Sequence, residues 1–273
     1  MTINCKGTLV DISSPKVMGV LNITPDSFFD GGRYKNDTQI LSQVEKMLTE
    51  GATFIDVGAY SSKPGAIHIS EDEELKRMVP VIDLLLKKFP EIILSIDTFR
   101  SKVARETIQT GAAIINDISG GKMDNNMFAT VANLKVPYIL MHMQGTPQNM
   151  QQNPIYEDVT KEIILFFAEQ IKTLQQLMVN DIIIDIGFGF GKTIDHNFEI
   201  LKNLELFKSL DAPILAGISR KSMLYKTLGI SAQEALNATT SANTIALLNG
   251  AHILRVHDVK EAMEAVKIVS QVL

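Results

Sequence analysis

Short apolar runs recur along this chain, and nearly every one stops at a polar side chain. The run 17–21 ends at Asn22, 54–55 at Asp56, 92–96 at Asp97, 114–115 at Asn116 and 182–184 at Asp185. The run 214–216 leads through a turn to Lys221, 253–254 to Arg255 and His257, and 138–141 to His142. Runs apolar at consecutive positions suit strands covered on both faces, as in a parallel sheet lined by helices. Helix-like segments separate them. Eight strands alternating with eight helices over 273 residues predict an α/β fold, a single (β/α)8 barrel spanning 1–273. A doubly wound open sheet competes, but no linker divides the chain and eight units favour closure. The C-terminal strand ends of such a barrel form its catalytic mouth, so the polar groups are expected to meet there.

The segments between the runs carry helix signals. A helix is expected from about 37 to 50, closed by Gly51. Ser70 with Glu73 three residues on is a capping-box pattern. Ser101 opens a helix that Gly111 closes, and 124–134 reads as another. Over 157–178, Ile163, Phe167, Ile171, Leu174 and Met178 form one stripe at helical spacing, read as core. Further helices are expected near 198–210, 232–248 and 259–272. Residues 2–11 read as a hairpin turning at Lys6-Gly7 and plugging the barrel bottom.

Several function classes fall away on composition. Net charge is −5, with none of the basic excess that marks nucleic-acid binding; a local cationic cluster can still attract an anionic substrate. The single cysteine, Cys5, excludes an intramolecular disulfide and reads as a buried small hydrophobe. No apolar stretch is long enough to span a bilayer, so a cytoplasmic protein with no membrane partner is expected.

Asp97, Asn116, Asp185 and Lys221 come from four strands. Carboxylates and a carboxamide at one mouth can read the edge of a flat heterocycle bearing N–H donors and a carbonyl, through charge-assisted pairs. Lys221 would bond that carbonyl and balance the acids. Arg255 and His257, two apart on an extended segment, share a face. With Asn22 they could hold a pyrophosphate and a magnesium ion that takes one protein oxygen. Long loops at 24–32 and 60–65 suit binding loops. The run Gly187–Thr193 fails the P-loop spacing because Ile186 stands where glycine is needed. His142 has no His or Cys partner at metal spacing and reads as structural or supporting.

Eight segments in order, "GVLNITPDSFFDGG", "IDVGAYSSKPGA", "SIDT", "INDISGG", "LMHMQGTP", "DIGFGFGK", "GISRKSML" and "RVHD", resemble the dihydropteroate synthase family over essentially the whole chain. The resemblance implies joining of 4-aminobenzoate to 6-hydroxymethyl-7,8-dihydropterin pyrophosphate, giving 7,8-dihydropteroate for folate synthesis. It assigns Asp97, Asn116, Asp185 and Lys221 to the pterin, and Asn22, Arg255 and His257 to the pyrophosphate and its Mg2+. Ser62 and Lys63 would close over phosphate and benzoate. Ser222 and Lys221 would lie near the benzoate carboxylate, with Phe28, Pro64 and Phe190 as apolar walls and Asp30 beside the reacting carbon. A homodimer is implied as well. Four positions depart from the family pattern. Its usual second loop reads Glu-Ser-Thr-Arg-Pro, whereas Tyr60-Ser61-Ser62-Lys63-Pro64 stands here. Lysine keeps the charge but loses arginine's planar fork, which bears on affinity and on sensitivity to sulfonamide mimics of the benzoate. Asp185-Ile186-Gly187 stands for Asp-Pro-Gly. Rival readings are a pterin-binding methyltransferase domain, a Schiff-base lyase using Lys221, for which an anion-rich mouth is unfavourable, and a non-catalytic pterin-binding scaffold.

Overall fold

The computed structural model describes residues 1–23, 33–61 and 68–272, with the backbone alone for 33–36. A closed barrel of eight parallel strands forms its centre. In chain order the strands are β3 (Lys16–Asn22), β4 (Phe54–Gly58), β5 (Leu94–Asp97), β6 (Ile114–Asp117), β7 (Tyr138–Met141), β8 (Ile182–Asp185), β9 (Ile214–Ala216) and β10 (Ile253–Val256), with β10 pairing back onto β3. Before them, β1 (Thr2–Cys5) and β2 (Thr8–Asp11) make the expected hairpin. Lys6 and Gly7 both take positive φ, as a two-residue hairpin turn demands.

Alternation along each strand divides the core in two. Outward residues such as Val17, Ile55, Ile96, Ile115, Leu140 and Ile184 pack against the helices. Inward residues Met18, Phe54, Ile114, Ile139, Ile183, Leu215 and Ile253 fill the barrel floor together with Ile3, Cys5 and Ile12 from the hairpin region. The hairpin therefore plugs the bottom, as the sequence predicts, and Cys5 is buried with its thiol pushed up to about 12.

Around the barrel lie α1 (Arg33–Thr49), α2 (Glu71–Lys88), α3 (Ser101–Thr110), α4 (Met127–Leu134), α5 (Val159–Gln176), α6 (Ile194–Lys202), α7 (Ser222–Leu228), α8 (Leu236–Leu248) and α9 (Val259–Val269). Ser70 caps α2 by accepting from the Glu73 amide, and Gly111 closes α3. Four expectations need correction. Two helices, α7 and α8, follow β9, so the described residues hold nine helices, not eight; Gly229 in the left-handed region ends the short α7. The stretch expected at 198–210 is α6 followed by a 3-10 turn, Leu204–Leu210. α4 starts at Met127 because the Asp124 carboxylate is used elsewhere, accepting from the Ser101 amide at the head of α3 and from the Asn126 amide. Met178 is not core: it lies beyond α5 at φ 62 and is 77% exposed. No helix among the described residues is long and apolar enough to cross a membrane.

Candidate active site

Two residues above the apolar floor, the same inward face turns polar. On β4 the step is from Phe54 to Asp56, on β6 from Ile114 to Asn116, on β8 from Ile183 to Asp185 and on β10 from Ile253 to Arg255. Asp56 is the hub of this layer. Fully buried, it accepts from Ser95 Oγ at 2.6 Å, from Asn116 Nδ2 at 3.0 Å and from Arg255 Nε at 2.7 Å. Arg255 reaches past β3, where the inward residue is the smaller Val20, and also donates from Nη2 to Asp97 Oδ2 at 2.9 Å. Burial pushes Asp97 up and Asp56 pushes the same way, while Arg255 works against both.

Asn116 is 2% exposed, and its Oδ1 has no hydrogen-bond partner. Since Asp56 holds its Nδ2, the amide orientation is set and an acceptor is left bare. Asp185 Oδ1 accepts the Gly187 amide at 2.8 Å, and Oδ2 makes no hydrogen bond among the described residues. Burial raises the Asp185 pKa; Lys221, the Gly187 amide and Arg255 oppose it.

Lys221 is the residue before α7, and its Nζ donates to the Phe188 carbonyl while lying 4.7 Å from the centre of the Phe190 ring. Burial lowers it to about 8, more than Asp185 and Asp97 can offset. The anion-rich mouth thus does not hold this lysine at its ordinary pKa, and that objection to a Schiff-base role fails; what stands against it is the ammonium's engagement by a carbonyl and a ring. Ser222 is the first residue of α7, adjacent to Lys221.

At the rim, Ser219 Oγ lies 3.1 Å from His257 Nδ1 and accepts the His257 amide at 3.2 Å. Burial and then Arg255 lower the imidazole's pKa. A neutral ring whose Nδ1 accepts from Ser219 carries its proton on Nε2 and can donate it outward. Arg220 ties this corner together through a bidentate pair with Asp258 at 2.8 and 3.0 Å. Asn22, the last residue of β3, is exposed and makes no side-chain hydrogen bond among the described residues.

The structure brings Asp97, Arg255 and Asn116 into one network through Asp56, and groups Asp185, Lys221 and Phe190 through the turn after β8. Phe28, Asp30, Ser62, Lys63 and Pro64 lie outside the described residues. His142 is structural: buried, lowered to about 2 first by burial and then by Lys192, and packed edge-on against Phe166. Sequence reading noticed Asp56 at a strand end yet left it out of the binding set, and missed Ser95 and Ser219. Period-two spacing was the available signal for the first two, since Asp56 follows Phe54 and Ser95 precedes Asp97 by two.

Comparison with known proteins agrees with this fold. The model of the pterin-binding enzyme family matches residues 18–257. Dihydropteroate synthase of Escherichia coli (strain K12) is 42% identical over 275 residues, covering 100% of this chain and 97% of that one. A crystal structure of Yersinia pestis dihydropteroate synthase with a sulfonamide drug complex superposes at TM-score 0.93 with 41% identity, covering 100% of this chain and 99% of that one. The Xanthomonas albilineans dihydropteroate synthase in complex with 7,8-dihydropteroate superposes at TM-score 0.89 with 32% identity, covering 100% and 98%. Whole-length identity, the closed barrel and the polar layer at its mouth together show that this chain belongs to the pterin-binding enzymes, in the dihydropteroate synthase family of transferases.

Proposed function

We propose that the chain condenses 6-hydroxymethyl-7,8-dihydropterin pyrophosphate with 4-aminobenzoate to 7,8-dihydropteroate and pyrophosphate. The bare, oriented Asn116 Oδ1 carries this reading. A buried acceptor left unpaired costs about 1–3 kcal/mol, which a ligand N–H would recover. Beside it, Asp185 offers an open carboxylate oxygen to an N–C–NH2 edge, and Lys221 a donor to a ring carbonyl. The Phe190 ring under Lys221 suits the aryl face of the second substrate.

In the reaction the bond between the exocyclic methylene and the pyrophosphate oxygen breaks, and its electron pair leaves with the oxygen. The electron-rich dihydropterin stabilises the cation that remains. The aromatic amine then attacks with its lone pair and loses a proton. Asp30 is our assignment for stabilising the cation. Arg255 and the Nε2–H of His257 offset charge on the leaving group. Asn22 fits a magnesium site in which the protein contributes one amide oxygen and phosphate oxygens and waters the rest; magnesium, when bound, neutralises leaving-group charge. Ser62 and Lys63, with Phe28 and Pro64, are assigned to close the benzoate end, beside Ser222.

We also read the protein as a homodimer. Phe198, Leu206, Leu228, Ile245 and Leu248 are each 37% or more exposed on the neighbouring elements α6, the 3-10 turn, α7 and α8. Sedimentation velocity reporting only monomer at micromolar concentration would remove the dimer.

The deciding assay for the activity is pyrophosphate release from the pterin pyrophosphate in magnesium buffer, with and without 4-aminobenzoate. Release that depends on 4-aminobenzoate is expected. A folded protein with no such dependence refutes the reading.

A further inference from the structure

The glycine-rich run after β8 is not a phosphate loop, yet it ends on a lysine buried deeper than any other described lysine. Lys192 is 3% exposed and has no carboxylate within salt-bridge distance among the described residues. Its Nζ lies 3.2 Å from the His142 carbonyl, 2.9 Å from that of Gly187, 3.1 Å from that of Phe190 and 3.0 Å from His142 Nδ1. Burying an amine without an ion-pair partner is costly unless hydrogen bonds replace its water, and here they do.

The reason for such a cage lies in the packing above it. A Cβ on Gly187 would strike the His142 carbonyl oxygen, and one on Gly191 the Gln144 carbonyl oxygen. Both glycines have positive φ. The turn after β8 thus lies backbone against backbone on the segment after β7, and no side chain fits between them. Carbonyls from both segments converge with few amides to meet them. A slender lysine stem with a compact donor head can enter from below and bond both sides. The tie survives either ionisation state: an ammonium donates to the three carbonyls, and an amine donates to two and accepts from His142 Nδ1–H.

The turn so pinned carries the groups that cradle Lys221, namely the Phe188 carbonyl and the Phe190 ring. It also carries the amide that orients Asp185. We propose that Lys192 is a positioning residue for the side of the mouth built on Asp185 and Lys221, holding the 187–191 turn against the end of β7 so that Phe188 and Phe190 place Lys221 and the Gly187 amide keeps Asp185 oriented. This rests on the reading that pterin and 4-aminobenzoate bind there, whereas the pinning of the turn does not.

Lys192→Met in the full chain separates the two. In ligand-free protein, amide hydrogen exchange across 187–191 should quicken by about tenfold or more while the barrel strands keep wild-type protection. The KM for 4-aminobenzoate should rise about tenfold, and affinity for pterin measured by calorimetry should fall with it, because the same turn places Lys221 and orients Asp185. Tyr138→Phe, which removes a buried hydrogen bond to Asp117 outside the mouth, is the control for general loosening and should not show these changes. Should Lys192→Met fail to fold, Lys192→Gln, which can still donate to two carbonyls, is read the same way with smaller changes. Wild-type exchange at 187–191 in the folded variant overturns the proposal, as does an unchanged KM for 4-aminobenzoate or an unchanged pterin affinity. A wild-type protein that binds pterin but never uses 4-aminobenzoate refutes the functional reading instead, and the exchange result still decides whether Lys192 pins the turn.

Discussion

Floor and mouth of the barrel are built by the same strands, two residues apart. Met18, Phe54, Ile114, Ile139, Ile183, Leu215 and Ile253 point inward at the floor; Val20, Asp56, Asn116, Met141, Asp185, Gly217 and Arg255 follow them at the mouth. Every floor residue is as good as dry, each at 0% exposure, and its packing recovers the free energy of leaving water. The mouth is nearly as buried and follows the opposite rule. Its charges satisfy one another through Asp56, burial pushes Asp97 and Asp185 up, and the buried Asn116 Oδ1 is left unpaired. Two residues along a strand therefore separate side chains that stabilise the barrel from side chains held at a cost in stability, which the proposed function assigns to binding.

That contrast can be broken most directly at the floor. Phe54→Ala should lower unfolding free energy by about 3–5 kcal/mol, the usual cost of emptying a dry aromatic site, in chemical denaturation. Pterin affinity of the protein that remains folded should match wild type. A large loss of affinity would mean that the floor shapes the site directly.

At the mouth the signs reverse. Asp185→Asn should weaken pterin binding by about 1.5–3 kcal/mol in calorimetry, through loss of a charge-assisted pair. Stability should not fall with it. The folded pKa of Asp185 is raised, so whatever stability its protonated form provides is lost as pH rises above the ordinary carboxylate range. The asparagine variant has no such loss, and its Tm relative to wild type should climb from pH 4 to pH 8. A variant that becomes relatively less stable over that range would show that the charged carboxylate contributes to the fold.

A smaller effect is expected at the rim. Ser219→Ala removes the hydroxyl beside His257 Nδ1 and should cost about 0.5–1.5 kcal/mol of transition-state stabilisation. It should appear in kcat, with pterin affinity unchanged. Unaltered kcat would make Ser219 a packing residue. Smallest of all is Lys63→Arg in the second loop, which should improve apparent affinity for pyrophosphate or benzoate by roughly 0.5–1 kcal/mol at most; steady-state KM values for both substrates check it.

The order of the fold was readable from local pattern. Strand-length apolar runs, capping at Ser70 and the glycine after α3 are local signals, and each specified its element. The strand-end polar residues in phase with the inward floor could be placed at one mouth by period two and parallel closure, whereas His142, out of that phase, packs against Phe166 instead. Helix ends were less legible where a side chain served a distant element, as Asp124 does for α3. Met178 shows the same limit, since helical spacing continued past the point where the backbone turned.

By itself the sequence determined which strand positions face the mouth, since inward direction follows from strand period. Only the tertiary structure decided how they are connected. That Arg255 spans β3 to reach Asp56 and Asp97, that Asn116 is turned to leave its oxygen bare, and that Lys192 serves carbonyls from two segments all depend on distances across the barrel. Partners so remote in sequence, 199 residues apart for Arg255 and Asp56, leave no local trace. Closure of the sheet brings them within hydrogen-bond range, and the cost of burying each charge then selects the arrangement in which they satisfy one another.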